Sequence, residues 1–409
     1  MAGGAIRQAA TYLEKRNLMA ANTNPGRSTP LIILALVAAL VTVLALWATD
    51  RVRTNPSGNE TSNGQASAAE NTKFHWKIVT TWPKNFPGLG AAAENFATMV
   101  GEMSNGRLTA KVYGAGEIVP AFEVFDAVSQ GVADAGHGAA YYWKGKVPSS
   151  VFFTAVPFGM NAQEMNGWLE RGGGLELYRE AYAPFNLIPL VGGSTGTQMA
   201  GWFNKEINSL EDLKGLKMRI PGLAGEVFTK VGGISVRIPG GELYTSLQTG
   251  IIDAAEWVGP YNDLAFGLYE VAQYYYYPGW HEPGAMLEFI VNKQSMEALP
   301  ADLQAIVVTA TQASNQMMLN DFTARNNEAL RQLVDDHGVK LRRLPDDVLI
   351  ALARASDEAI QELIAADPMS AKVYASYKTF YDGVRAYHHI SEQAYINARD
   401  VAIDALKKD

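Results

Sequence analysis

Strand-like and helix-like segments alternate along most of this chain, and one short motif recurs about a lobe's length later. Over 409 residues, these features predict an α/β fold of two lobes, with a cleft at the carboxyl ends of the strands. Phe74 to Ile78 alternates apolar and polar residues as a strand does. Leu89, Ala92, Phe96 and Met99/Met103 then recur at helical spacing. Leu108, Ala110 and Val112 alternate again, and Phe122, Phe125 and Val128 return to the helical period. The recurring motif is Gln130-Gly131-Val132-Ala133-Asp134-Ala135-Gly136-His137. It is echoed 119 residues later by Thr249-Gly250-Ile251-Ile252-Asp253-Ala254-Ala255-Glu256-Trp257. Both read as a helix end, a glycine cap, an aspartate and a short apolar strand. The strand-end rule places His137 at the cleft rim of one lobe, and Glu256 and Trp257 at that of the other.

Two apolar segments are candidates for joining the lobes, Leu187 to Asn204 and Met286 to Val291. Residues 74–197 with part of 285–409 are then lobe I and the C-terminal helices, and residues 198–284 are lobe II. After Pro300 the chain turns helical, with Leu303, Ile306/Val307, Ala310, Ala313 and Met317 on one face. Beyond Pro368 the tail carries Tyr374, Tyr377, Phe380, Tyr381 and Tyr387. That is more aromatic surface than a monomer's terminal segment should expose, so a homodimer through this tail is expected.

The composition excludes several classes. Apolar residues are 48% and charged residues 19%, a globular balance. The net charge of −8, with no basic run interleaved with aromatics, argues against nucleic acid. The absence of cysteine removes thiol catalysis, disulfides and Cys-ligated zinc. Leu31 to Ala48 is an uncharged, almost wholly apolar run of 18 residues, just able to span a bilayer core of roughly 30 Å. Residues 1–30 carry Arg7, Lys15, Arg16 and Arg27 against Glu14 alone. That bias keeps them in the cytoplasm and exports the chain beyond the apolar run. Leu46-Trp47-Ala48 is a poor cleavage site, which favours a retained anchor over a cleaved signal. From Met19, an alternative start, the leader reads as an ordinary signal. Residues 49–73 read as a flexible linker.

Few residues carry recognisable chemistry. Gly192-Gly193-Ser194-Thr195-Gly196 matches the Gly-x-Ser-x-Gly pattern of hydrolases, but strand-like sequence comes next where a helix is required, so it reads as a glycine-loosened crossing strand. Arg219 ends a short strand stopped by Pro221-Gly222. Its planar fork suits a carboxylate, and the plain alternative is a surface ion pair. Glu256 and Glu282 lie in apolar surroundings, where an isolated charge is costly. Acid/base work, metal ligation and a buried ion pair all remain open for them. Oxygen-only ligands suit Na⁺ or Ca²⁺. The six histidines, His281 among them, show no metal spacing and read as structural or exposed. Tyr141 and Tyr142 come after the strand ending at His137 and are cleft candidates, with core packing as the alternative.

Three motifs carry a resemblance: Gly131-Val132-Ala133-Asp134, Leu213-Lys214-Gly215-Leu216-Lys217-Met218-Arg219-Ile220-Pro221, and Thr249 to Trp257. Over roughly Phe74 to Glu392 the chain resembles the substrate-binding subunits of tripartite ATP-independent periplasmic (TRAP) transporters. Trp257 after the glutamate, Gly279-Trp280-His281-Glu282 and Ala140-Tyr141-Tyr142-Trp143 resemble the subgroup for 2-oxo monocarboxylates such as pyruvate. The resemblance implies a type II-like periplasmic-binding-protein fold, with crossing strands between lobes and long C-terminal helices. It also implies that Arg219 binds the ligand carboxylate, with Gln198, Trp257, Tyr142 and Tyr141 in the ligand site. A cation, Na⁺ or Ca²⁺, would be held by Gln198, Glu256, the Trp257 carbonyl and Glu282. It would offset two acids around an anion and be chelated by the ligand's carboxylate and 2-oxo oxygens. The implied partners are the membrane permease subunits and a second copy bound through the C-terminal helices. The implied place is the periplasm; the long leader and the tether depart from the family's pattern, and inner-membrane anchoring by residues 31–48 is expected from those residues themselves. The readings set against this one are a serine hydrolase or acid/base enzyme on the same fold, and the ligand-sensing ectodomain of a membrane receptor.

Overall fold

A computed structural model describes residues 72–407 together with Thr42. Strand β1 (Phe74–Thr80), helix α1 (Leu89–Met103), β2 (Leu108–Tyr113), α2 (Val124–Ser129) and β3 (Ala135–Gly138) open the fold. β1 pairs in parallel with β2 on one side and β3 on the other. Parallel neighbours need a crossover, which the two helices supply. After α3 (Ala162–Arg171) and α4 (Gly174–Tyr182), β4 (Leu187–Ser194) adds to the same sheet. The chain then enters a second sheet with β5 (Gly201–Phe203). There β6 (Lys217–Arg219), α5 (Gly222–Lys230), β7 (Ile234–Val236), α6 (Leu243–Gln248) and β8 (Ala254–Ala255) repeat the opening unit. β6 lies in parallel between β7 and β8, as β1 lies between β2 and β3.

The echoed motif occupies the same place in both halves of this repeat. Gly131 and Gly250 adopt φ of 75° and 72°, left-handed positions that end their helices. Asp134 Oδ2 accepts from Lys77 N at 2.8 Å, and Asp253 Oδ2 accepts from Lys217 N at 2.9 Å. Each aspartate's own N–H donates to the carbonyl of the same lysine, at 3.0 and 2.7 Å. Each motif therefore staples the incoming strand to the start of its neighbour and aims the strand ends at the cleft.

Helix α7 (Pro260–Ala265) and β9 (Tyr274–Tyr277) complete the middle of the second sheet, and β10 (Met286–Asn292) returns to the first. The first sheet then runs β2-β1-β3-β10-β4. Met286–Val291, a candidate joining segment, does not cross between lobes. It lies within β10, buried along its whole length between antiparallel β3 and β4. Its apolar run is that of a central strand covered on both faces. The crossing itself uses residues 278–285. The other candidate does cross, between β4 and β5.

Helix α8 (Lys293–Glu297) precedes α9 (Ala301–Arg331), which packs against β4 and α1 of the first lobe and α7 of the second. β11 (Lys340–Arg343) closes the edge of the second sheet, ordered β11-β9-β5-β8-β6-β7. Helix α10 (Asp346–Ala366) packs on α5, and α11 (Pro368–Ile390) returns to α3 and α4. One apolar core runs through both lobes by way of Trp82, Tyr142 and Trp257, and a second fills the far side of the first sheet.

The aromatic tail is mostly consumed within the chain, contrary to the exposed surface expected of it. Tyr377 is buried, and its hydroxyl accepts from Met160 N at 2.8 Å. Tyr381 Oη donates to the Phe158 carbonyl at 3.1 Å. The exposed apolar residues come later: Tyr387, Ile390, and Tyr395, Val401 and Leu406 on α12 (Glu392–Leu406), a helix without a buried residue. The leader assignments at 1–30 and 31–48, and nearly all of the 49–73 linker, lie outside the described residues. Among the described residues, no helix is long and apolar enough to cross a membrane.

Candidate functional site

Arg219 sits where β6 stops at Ile220-Pro221, and its side chain is 2% exposed. Nη1 donates to Glu256 Oε2 and to the Glu256 carbonyl, both at 2.8 Å. Nε donates to the Ile238 carbonyl at 3.2 Å. Nη2 has only a longer contact, 3.3 Å, to Tyr142 Oη across the cleft. The guanidinium lies 5.1 Å from the Trp257 ring centroid. One prong is thus fixed by its own lobe, and the other is turned toward the first lobe. Gly222, at φ 64°, lets the Tyr141 ring approach, since a Cβ there would stand 3.1 Å from it.

Glu282 comes from the 278–285 crossing, and Gln198 from the opposite crossing. Gln198 Nε2 donates to Glu282 Oε2 at 2.8 Å, and Gln198 N donates to the Glu282 carbonyl at 3.2 Å. Gly279 makes that contact possible, because a Cβ there would meet the Gln198 carbonyl oxygen at 2.1 Å. His281 stands beside them, its Nε2 3.5 Å from Glu256 Oε1. Gln198, Glu256, His281 and Glu282 are all at most 5% exposed.

Hydrogen bonding here is incomplete. Gln198 Oε1, Glu256 Oε1, Trp257 Nε1 and both ring nitrogens of His281 are buried without a partner. Buried polar atoms almost always find one, so this cluster calls for a further group. Ligand atoms of Glu256, His281 and Glu282 lie within 4.8 Å of one another, which suits a cation. Electrostatics agree. Burial pushes the Glu256 carboxyl up to about 7 against the pull of Arg219. Burial and the charge of Glu256 push Glu282 up to about 8. Two acids that resist ionisation side by side would both be stabilised as anions by added positive charge.

The fold therefore gathers Arg219, Glu256, Trp257, Glu282, Gln198 and Tyr142 around one point, with Tyr141 beside Tyr142 at a ring distance of 4.8 Å. His137 is not a rim residue. It is fully enclosed, and Trp82 Nε1 donates to its Nδ1 at 2.8 Å. Burial lowers it to about 4, so it stays neutral. Trp82, near the carboxyl end of β1, links it to the Trp257 ring at 6.2 Å, and the strand-end rule would have found that tryptophan. His281 has no metal spacing in the sequence, yet it stands in this cluster. Spacing detects ligands on one element, and the cluster is assembled from two. Ser194 is buried at the end of β4, where its Oγ accepts from Gly196 N at 3.3 Å. No helix comes after it, so there is no nucleophile elbow. Gly192 and Gly193 are small because the Phe289 ring and Met318 press on them.

Residues 78–367 match the family of bacterial extracellular solute-binding proteins, family 7 (DctP). The chain belongs to this family. A monocarboxylate 2-oxoacid-binding periplasmic protein of Nostoc sp. is 45% identical over 79% of the chain and 88% of its own length. A TRAP periplasmic solute-binding protein of Pseudoalteromonas atlantica, solved with sodium and pyruvate, is 46% identical with a TM-score of 0.78, over 80% of this chain and 99% of that one. A TRAP solute-binding protein of Bordetella bronchiseptica is 37% identical with a TM-score of 0.80, over 82% of this chain and 100% of that one. It is a mixed-occupancy dimer with calcium and picolinate in one site. The expected two-lobed binding-protein fold and TRAP family hold, and the chain is a solute-binding subunit rather than an enzyme.

Proposed function

We propose that this subunit captures a small 2-oxo or 2-hydroxy monocarboxylate such as pyruvate together with Na⁺ or Ca²⁺, and delivers it to the permease subunits of a TRAP transporter. The observation that carries this reading is the meeting of one half-engaged guanidinium with a set of unpartnered buried oxygens between the lobes. The Nη2 side of Arg219 would take the carboxylate. Gln198 Oε1, Glu256 Oε1, the Trp257 carbonyl and Glu282 would hold the cation, which supplies Lewis-acid contacts to the carboxylate and 2-oxo oxygens. Trp257, Tyr142 and Tyr141 would wall the ligand. Oxygen donors of this kind favour hard cations, and the relatives bound to sodium with pyruvate and to calcium with picolinate support the pairing of cation and chelating carboxylate. Because the site residues are buried, ligand exchange requires the lobes, residues 74–197 with part of 285–409 and residues 198–284, to part.

Thermal shift with a library of 2-oxo, 2-hydroxy and plain carboxylates, with and without Na⁺ and Ca²⁺, tests this reading. Stabilisation by the chelating acids alone, only with cation and without turnover, is expected from mass action. Equal stabilisation by propionate would overturn it.

Two finer features belong to the same reading. The chain forms a homodimer through its C-terminal helices, with the apolar residues of α12 covered by a second copy. Light scattering should then give a dimer, and truncation after Ile390 a monomer; a full-length monomer refutes it. Leu31 to Ala48 holds the subunit at the periplasmic face of the inner membrane. Fractionation should retain the full-length mass with membranes, and a soluble periplasmic product starting near Thr49 contradicts it.

A further inference from the structure

A second arginine bridges the lobes outside the buried cluster. Arg237 comes just after β7 of the second lobe, and its Nη2 donates to the Tyr142 carbonyl of the first lobe at 2.9 Å. That carbonyl lies in the short 3-10 turn Ala140–Trp143, and the ends of such turns leave carbonyls for side chains to satisfy. The same guanidinium lies 4.0 Å from the centroid of the Phe122 ring, which stands 5.0 Å from the Tyr142 ring. Two arginines of one lobe therefore hold one tyrosine of the other, Arg237 at the backbone and Arg219 at the hydroxyl. They share a base, because the carbonyl of Ile238, the next residue, accepts from Arg219 Nε at 3.2 Å. Arg237 is exposed and borders a cavity of about 550 Å³ together with Tyr141, Tyr142, Lys144 and Ser235. It meets solvent there, whereas Arg219 is 2% exposed.

Resting on the carboxylate-capture reading above, we infer that Arg237 is a positioning residue that latches the closed lobes through Tyr142 and sets how long the bound acid stays. Ligand exchange requires the lobes to part. A contact that parting must break multiplies the population of the binding-competent form. It does so by one factor for every ligand, because Arg237 acts through the Tyr142 carbonyl and the Phe122 ring. A residue that touches the ligand changes the ratio between ligands instead. The ion pair of Lys144 with Glu226 on α5 also bridges the lobes, but the two side chains are 23% and 48% exposed, and a pair so solvated contributes little. Arg237 combines a charge-assisted hydrogen bond with a cation–π contact, so it carries the larger share of the latch.

Dissociation of pyruvate and of 2-oxobutyrate is followed by stopped flow, with Ca²⁺ present, for the full chain and for Arg237→Ala, Arg237→Lys and Lys144→Ala. Arg237→Ala should release both acids about three- to tenfold faster, by the same factor, with association within about twofold of the original. Arg237→Lys should recover most of the loss, since an ammonium also reaches a carbonyl and a ring face. Lys144→Ala should change release by less than about twofold. Unchanged release from Arg237→Ala, or no recovery in Arg237→Lys, overturns the latch. Factors that differ between the two acids overturn it too, and put Arg237 in contact with the ligand. Small-angle scattering of the same proteins without ligand should give a larger radius of gyration for Arg237→Ala, and equal radii overturn the latch. Failure of the full chain to bind either acid overturns the ligand reading instead, and the scattering comparison then decides the latch.

Discussion

Glu288 and Glu256 are both buried carboxylates, and burial raises both to about 7. Glu288 lies inside the first lobe with its needs met: Oε1 accepts from Trp143 Nε1 at 2.5 Å and Tyr182 Oη at 3.3 Å, and Oε2 accepts from Tyr178 Oη. Glu256 lies between the lobes with Oε2 paired to Arg219 and Oε1 unpartnered. Burial and a perturbed proton affinity are therefore common to a structural acid and a site acid. What separates them is whether the hydrogen bonding closes within the protein. Asp263 falls on the structural side, since Trp202 Nε1 and Tyr275 Oη both donate to its Oδ2, at 2.9 and 2.7 Å.

The contrast is open to direct attack. Arg219→Lys should reduce affinity for pyruvate by about 2–4 kcal/mol, roughly 30- to 900-fold, because a point charge cannot hold Glu256 and a carboxylate in one fork. Calorimetry finding affinity within about threefold of the original would remove Arg219 from the site.

Glu288 should act on stability alone. Its folded-state value is raised from 4.5 to about 7, so the native state binds this proton more tightly than the unfolded chain. The contribution is fully present below pH 4.5 and is lost as pH rises through 7, on the order of 3 kcal/mol in total. Denaturant melts of Glu288→Gln should lack that part of the decline while pyruvate affinity holds. A pH profile identical to that of the unaltered chain would place the titration elsewhere.

Tyr275→Phe removes one donor to Asp263 and leaves Trp202 in place. A stability loss of about 1 kcal/mol is expected with no change in affinity; a loss of ligand binding would make Asp263 part of the site. The smallest effect belongs to Tyr142→Phe. The 3.3 Å contact from Arg219 Nη2 is long, so affinity should fall by less than about fivefold and stability should hold.

The division of labour is partly legible in the residues alone. Strand and helix alternation marks the layers, and the Gly131/Asp134 and Gly250/Asp253 echo marks two equivalent staples because a left-handed cap and a strand-start acceptor are local needs. Arg219 and Glu256 are readable as strand-end residues of the repeat. The His281 contact is not, since it joins residues on two segments through the crossing. Nor is the fate of Tyr377, whose partner Met160 lies 217 positions away. Met286–Val291 misleads because a strand buried on both faces and a crossing segment are equally apolar.

The most direct test of the account is calorimetric titration of pyruvate into the full chain after exhaustive chelation in buffer free of sodium and potassium, repeated after Ca²⁺ is restored and again with Glu282→Gln. Binding should fall by at least about tenfold without cation and recover with it, and Glu282→Gln should bind weakly even with Ca²⁺ present. Undiminished affinity in the chelated protein, with Glu282→Gln binding as well as the unaltered chain, would contradict the claim that the unpartnered oxygens of this cluster exist to hold a cation.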